Sequence, residues 1–197
     1  RKPGKLAAGA QYKRFALTAD HVSPRAIPGE KGNMHVVTGL EHNELGRPND
    51  SAEMHEAMSR KRHEKLKAAL RHPDFTHYKR FGDEGPVDVG LISWGSTFGE
   101  CLEAMIKARG EGIRCAAMKV VMLSPFPTHG VTAFMADCKE VLVPELNYQG
   151  QFANLLQAHV AKPVTRLNRV SGEPMKVEEI IEEIRRLKAL YCLHCDR

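Results

Sequence analysis

The sequence is poor in several features that would assign it to a class at once. Aromatic residues make up only 6% of it, with a single tryptophan, and the basic residues are neither interleaved with aromatics nor set in a zinc- or RNA-binding motif. The net charge of +5 therefore reads as surface solvation rather than nucleic-acid binding. Long apolar runs are missing: stretches such as Val120 to Leu123 and Val141 to Val143 fall far short of the roughly 20 residues of a membrane span. No signal-peptide pattern follows Arg1, and a start on Arg rather than Met reads as a cut into a longer protein. The five cysteines, Cys101, Cys115, Cys138, Cys192 and Cys195, form an odd set spread through ordinary elements, unlike a secreted disulfide scaffold. The expectation is a soluble, cytoplasmic chain that binds neither nucleic acid nor membrane.

What is present sorts into an irregular arm and a regular domain. Over the first 50 residues, Gly, Pro, Asn and His interrupt every apolar stretch, and only Met34 to Thr38 offers a strand. Asp50 and Glu53 then have capping-box spacing, and Met54, Ala57, Met58, Leu66, Ala69 and Leu70 follow at helical intervals. The helix predicted to about Arg71 ends in a basic run, including Lys61, that reads as a solvated face, and His72-Pro73 stops it.

Phe81 to Pro86, FGDEGP, has linker composition, and beyond it strand and helix signals alternate. Strands are predicted over Val87 to Ser93, Arg114 to Leu123, Glu140 to Pro144 and Pro163 to Asn168. Helices are predicted from Thr97 with a Thr97/Glu100 capping box, over Val131 to Asp137, over Gln151 to His159, and from Val177, where Ile180, Ile181, Ile184, Leu187 and Tyr191 form one apolar face. This pattern predicts an α/β fold: a doubly wound, mostly parallel sheet covered on both faces, over residues 86–197, with residues 1–85 as an extended N-terminal arm and one helix.

In such a sheet, ligands gather beyond the carboxyl ends of the strands. Trp94-Gly95-Ser96-Thr97 follows the first of these strands but lacks both G-x-G-x-x-G and a Walker A lysine, so helix capping by Ser96 or Thr97 is preferred to nucleotide binding. Glu145, Asn147, Gln149, Gly150 and Gln151 follow the third strand; they suit either a helix cap or an interface or ligand role. In the arm, Ser23-Pro24-Arg25-Ala26-Ile27-Pro28-Gly29 holds a single arginine between two prolines, whose guanidinium fits a carboxylate, a phosphate or a structural salt bridge. Glu41-His42-Asn43-Glu44 looks like a metal cluster but has no second ligand pair, and a solvated loop is preferred. The terminal Cys192-x-x-Cys195 lacks the other half of a zinc site and reads as a frayed tail.

Taken together, SPRAIPG (Ser23 to Gly29), TGLEHNELGRP (Thr38 to Pro48), the R-K-R-H-E-K-L helix (Arg60 to Leu66), VDVGLISWGST (from Val87), MLSPFP (Met122 to Pro127) and VPELNYQGQFANLL (Val143 to Leu156) closely resemble the C-terminal part of α subunits of 2-oxoacid:ferredoxin oxidoreductases. The arm resembles the end of the pyrimidine-binding domain, and the remainder the transketolase C-terminal-like domain that follows it. SPRAIPG and the ELN-x-GQ segment look most like the 2-oxoglutarate type, with pyruvate or a broader range of 2-oxoacids as alternatives.

The resemblance implies a coenzyme A-dependent oxidative decarboxylation that uses thiamine diphosphate with Mg2+ and iron-sulfur clusters, none of them bound by this portion alone. Its implied partners are a β subunit carrying thiamine diphosphate and a cluster, and ferredoxin, in a hetero-oligomer or dimer. No catalytic acid or base is expected here. Ser23, Arg25, Gly29 and Glu30 are the implied substrate-side residues, with Arg25 holding the substrate carboxylate. Glu30 stands where the family often has threonine, and its carboxylate would repel a 2-oxoacid. Glu145, Asn147, Gln149, Gly150 and Gln151 are implied to border the active site or an interface. A free-standing, non-catalytic α/β interaction module is the reading from another class.

Overall fold

The computed structural model describes residues 9–195, with side chains through Leu190. The chain divides between Pro73 and Asp74 into two compact units, each with its own internal organisation.

The second unit is built on the strand β2 (Val87–Ser93), which is buried along its whole length. It pairs in parallel with β3 (Cys115–Val120) on one side and β4 (Cys138–Glu145) on the other. β5 (Thr165–Asn168) extends the sheet in parallel beyond β4. The helices α2 (Phe98–Gly110), α3 (Thr128–Asp137), α4 (Gln151–His159) and α5 (Val177–Cys195) join or follow these strands. Two apolar layers result. Ala104, Met105 and Ala108 of α2 and Ile180, Ile184 and Leu187 of α5 cover one sheet face. Val131 and Phe134 of α3 and Phe152 and Leu156 of α4 cover the other. This is the expected doubly wound α/β arrangement, with more sheet than the sequence indicated.

The additional strand is β1 (Tyr78–Gly82), antiparallel to β3 at the sheet edge, giving the order β1-β3-β2-β4-β5. The segment read as a linker from Phe81 therefore begins inside a strand. Phe81 packs on the α2 layer, 5.3 Å from the Phe98 ring, while the rest of YKRFG stays partly exposed, as an edge strand allows. At the other edge of expectation, α2 has no Thr97 capping box. Gly95–Thr97 form a 3-10 turn, and the Thr97 hydroxyl bonds back to the Trp94 carbonyl at 3.1 Å instead of to the helix amides. The backbone of α5 continues to Cys195, so the tail read as frayed is helical; the side chains of Tyr191, Cys192 and Cys195 lie outside the described residues.

In the first unit, α1 (Ala52–Ala69) is capped by Ser51, whose hydroxyl accepts from the Met54 amide at 3.3 Å; the cap was expected at Asp50. The apolar face drawn along it is not a buried stripe: Met58 is buried, whereas Leu66 is exposed. Lys61, expected on a solvated face, is instead 8% exposed, with its Nζ donating to the Phe15 carbonyl at 2.7 Å. Burial, aided by Lys65 and Arg14, lowers its pKa to about 8. Met34 to Thr38 forms no strand, because no neighbouring strand offers it a ladder among the described residues; Met34 is 94% exposed.

Two features of the central strand generate tests. Asp88 is 7% exposed and bonds Lys139 and Lys188, each at 2.8 Å. Burial alone raises its carboxyl pKa, but the two ammonium groups outweigh burial and hold it below the ordinary value. Asp88→Asn is expected to cost about 1–3 kcal/mol in urea unfolding at neutral pH. Since the folded-state pKa is the lower one, the advantage over the variant is full above the unfolded value of about 4 and disappears as the pH falls through the folded value. At Gly90 an added Cβ would lie 2.2 Å from Cys138 Sγ and 3.1 Å from the Phe134 ring. Gly90→Ala should lower unfolding stability by about 1–3 kcal/mol, and an unchanged urea midpoint would show that the α3 layer yields easily.

Candidate functional site

Ser23, Arg25, Gly29 and Glu30 all lie on one irregular loop of the first unit. The Ser23 hydroxyl donates to the Ala16 carbonyl at 2.9 Å, which ties the loop start to the irregular segment before it. The Tyr12 hydroxyl bonds on both sides of Arg25, to the Pro24 carbonyl at 2.7 Å and the Ala26 amide at 3.0 Å. Arg25 itself is exposed, and its guanidinium makes no hydrogen bond or ion pair among the described residues. It is therefore free to receive a carboxylate or phosphate through its planar donor fork.

Gly29 takes φ of 89°, the left-handed conformation that lets the loop turn after Pro28. The Glu30 carboxylate folds back into that turn, accepting from the Ile27 amide at 3.0 Å and from Asn33 Nδ2 at 3.2 Å. Its oxygen is thus engaged within the loop. A cavity of about 520 Å³ is walled by Ala26, Ile27, Gly29, Glu30, Asn33 and Met34. The geometry brings Gly29 and Glu30 together on that wall, whereas Ser23 and Arg25 stand outside it.

The residues resembling a metal cluster are committed elsewhere. Glu41 pairs with Arg62 at 2.6 Å and His55 at 2.9 Å, and these bonds, Arg62 foremost, hold its carboxyl down at about 2. Glu44 pairs with Lys13 at 2.8 Å and accepts from the Leu17 amide at 2.9 Å. No group of three or more His, Cys, Asp or Glu side chains converges as a metal site among the described residues.

In the second unit, Glu145 ends β4 and is only 3% exposed. Its two oxygens accept from the Phe152 amide at 2.8 and 3.0 Å, and from Ala153 at 3.4 Å, while Asn147 Nδ2 bonds the same carboxylate. Asn147 Oδ1 in turn accepts from the amides of Gly150 and Gln151 at 2.6 and 3.1 Å. Both side chains thereby satisfy the amides at the start of α4, where a carboxylate also meets the positive end of the helix dipole. Gly150 has φ of 64°, and a Cβ there would come within 3.0 Å of Asn168 Nδ2. Gln149 and Gln151 remain exposed beside Tyr148, so the outward chemistry of this loop is carried by two amides and a phenol.

Sequence reasoning missed a second feature of this sheet end. A cavity of about 510 Å³ opens beyond the strand ends between Ser96, Glu100, Leu146, Arg169, Ser171 and Glu173. Glu100 Oε2 is buried with no partner among the described residues, while Arg169 is tied to Glu179 at 3.2 Å. The available signal was positional: the loop from Arg169 follows a parallel strand at its carboxyl end.

The described cysteines do not suit an iron-sulfur cluster. Cys101, Cys115 and Cys138 are buried within the apolar layers, and loss of hydration drives each thiol up to about 12, away from the thiolate that ligation requires. No helix among the described residues is long and apolar enough to cross a membrane.

Comparison with known proteins gives a consistent result. Residues 87–180 match the model of the pyruvate:ferredoxin oxidoreductase core domain II. The α subunit of 2-oxoacid:ferredoxin oxidoreductase 2 of Aeropyrum pernix is 36% identical over 180 residues, covering 90% of this chain and 28% of the relative. The 2-oxoglutarate oxidoreductase subunit KorA of Mycobacterium tuberculosis is 32% identical over 179 residues, covering 90% of this chain and 26% of the relative. The solved 2-oxoglutarate:ferredoxin oxidoreductase of Magnetococcus marinus, with 2-oxoglutarate, coenzyme A and succinyl-CoA bound, superposes with a TM-score of 0.84 at 38% identity. That match covers 95% of this chain and 32% of the solved one, so the present chain spans about a third or less of these proteins. With agreement in sequence and backbone along nearly its whole length, the chain belongs to the 2-oxoacid:ferredoxin oxidoreductase α-subunit family.

Proposed function

We propose that this chain is the C-terminal part of the α subunit of a 2-oxoglutarate:ferredoxin oxidoreductase, in which Arg25 holds a carboxylate of the 2-oxoacid. The observation that carries this reading is the exposed guanidinium, without a partner among the described residues, on a loop bounded by two prolines. The choice of 2-oxoglutarate is supported by the 38% identical Magnetococcus marinus structure, which was solved with that molecule bound. Pyruvate, named by the matching domain family, and a broad range of 2-oxoacids are the alternative substrates.

The complete reaction converts the 2-oxoacid and coenzyme A to an acyl-CoA and carbon dioxide, and two electrons pass to ferredoxin. Thiamine diphosphate with Mg2+ and the iron-sulfur cluster, carried by a β subunit, supply the decarboxylation and electron-transfer chemistry when bound. The present residues do simpler work. Arg25 binds and orients the anionic end of the substrate, and the two prolines narrow the path of the loop on either side of it. Glu30 is kept from the arriving carboxylate by its bonds to Ile27 and Asn33. Gln149, Gln151 and Tyr148 present a polar, aromatic edge suited to a neighbouring protein surface in a hetero-oligomer.

In the complete complex, Arg25→Ala should lower kcat/KM for 2-oxoglutarate by roughly ten- to a hundredfold, mainly through KM, because a charge-assisted bond to the substrate is lost. Steady-state kinetics that show an unchanged kcat/KM would remove Arg25 from the substrate site. The 197-residue chain alone should form no succinyl-CoA from 2-oxoglutarate and coenzyme A, and native mass spectrometry should detect a stable complex between the full α subunit and its β subunit. Turnover by the isolated chain would overturn the reading of it as one part of a shared active site.

A further inference from the structure

The loop that presents Arg25 has no helix or strand to fix the direction of that side chain. Pro24 and Pro28 fix φ at their own positions and narrow the choices of Ser23 and Ile27 before them. Neither restricts φ and ψ of Arg25. Those two angles depend on the peptide planes on either side, one carrying the Pro24 carbonyl and the other the Ala26 amide. A single group holds both planes: the Tyr12 hydroxyl donates to the Pro24 carbonyl at 2.7 Å and accepts from the Ala26 amide at 3.0 Å.

The clamp has a firm base. Tyr12 is 4% exposed, and its ring packs edge-on against His35 with the centroids 5.4 Å apart. A buried tyrosine ring has only two rotatable side-chain bonds, so its hydroxyl is placed with little freedom. The loop itself is partly exposed, and Arg25 is among its exposed residues. Water could satisfy the same carbonyl and amide at little cost, which leaves hydrogen-bond satisfaction a weak reason for a buried hydroxyl to reach them. What water cannot do is fix their mutual orientation.

We infer that Tyr12 is a positioning residue for the 2-oxoacid site: by bracketing the two peptide planes around Arg25, it aims the guanidinium at the substrate carboxylate. The inference rests on the reading of Arg25 given above. It adds that the affinity of Arg25 for the carboxylate depends on a prior restraint of the backbone, which lowers the ordering cost of binding.

The test is a set of variants in the complete complex, assayed with 2-oxoglutarate. Tyr12→Phe keeps the ring and removes only the hydroxyl. It should raise KM roughly tenfold or more through misplacement of the guanidinium, with kcat held within about twofold because the loss is one of binding. Added to Arg25→Ala, it should bring no further loss, since it acts through Arg25.

An unchanged KM in Tyr12→Phe, while Arg25→Ala is impaired, would overturn the bracket and leave the role of Arg25 standing. So would a fall in kcat at constant KM, the signature of a smaller folded fraction. If Arg25→Ala is itself unimpaired, the reading of Arg25 fails and the bracket fails with it. Should Tyr12→Phe not assemble, amide-resolved hydrogen exchange on the unsubstituted complex decides the matter. A protected Ala26 amide supports the bracket, and exchange at the rate of a free peptide overturns it.

Discussion

Every residue of β2 is out of water, and that one constraint organises the second unit. A strand buried on both faces needs a partner strand at each edge and a helical layer above and below. The chain meets this by running from β2 through α2 to β3 on one side, then crossing through α3 to β4 on the other. The reversal of direction lies between β2 and β4, where successive connections part. Burial also dictates the chemistry along the strand: Asp88 is held inside only with Lys139 and Lys188 beside it, and Gly90 leaves room for Cys138 and Phe134.

The first unit is organised by the opposite condition. Among the described residues it buries little beyond Tyr12, Gly46, Met58 and Lys61, so apolar contact alone cannot fix the path of its loops. Polar groups do so instead. Glu44 gathers Lys13 and the Leu17 amide, Glu41 gathers Arg62 and His55, and Lys61 reaches the Phe15 carbonyl beneath the Phe15 ring. These are residues from distant parts of the sequence, meeting through charge and hydrogen bonds rather than through a periodic face.

That difference explains what the sequence made legible. Val87–Ser93 and Gln151–His159 were read with the bounds the structure gives them, because burial leaves an apolar run in one and helical spacing in the other. β1 was hidden because an edge strand of the form YKRFG need bury only part of its surface. The cap was placed one residue early, at Asp50, because aspartate and serine both cap helices well and only the reach of the Ser51 hydroxyl to the Met54 amide marks the true start. Lys61 was read as solvated because a basic run carries no mark of which member turns inward. At the candidate site, composition singled out Arg25 between its prolines, but the bonds of Tyr12 on either side of it span 12 and 14 residues and follow no motif.

The two groups of candidate residues also differ in what folding has left available. Glu145 and Asn147 carry the more conspicuous functional groups, yet their acceptor atoms are occupied by the amides that begin α4. Removing them from that role would leave helix amides without partners in a buried setting, so their chemistry is bound to the fold. Arg25 is the reverse case: the backbone around it is engaged and, among the described residues, the side chain is not. A group that is restrained in position but unpaired in charge loses little entropy on meeting an anion and needs no internal bond broken first. By that criterion the proposed role of Arg25 draws on the irregular arm, whereas the acceptor atoms of Glu145 and Asn147 at the end of the sheet are already spent on the start of α4.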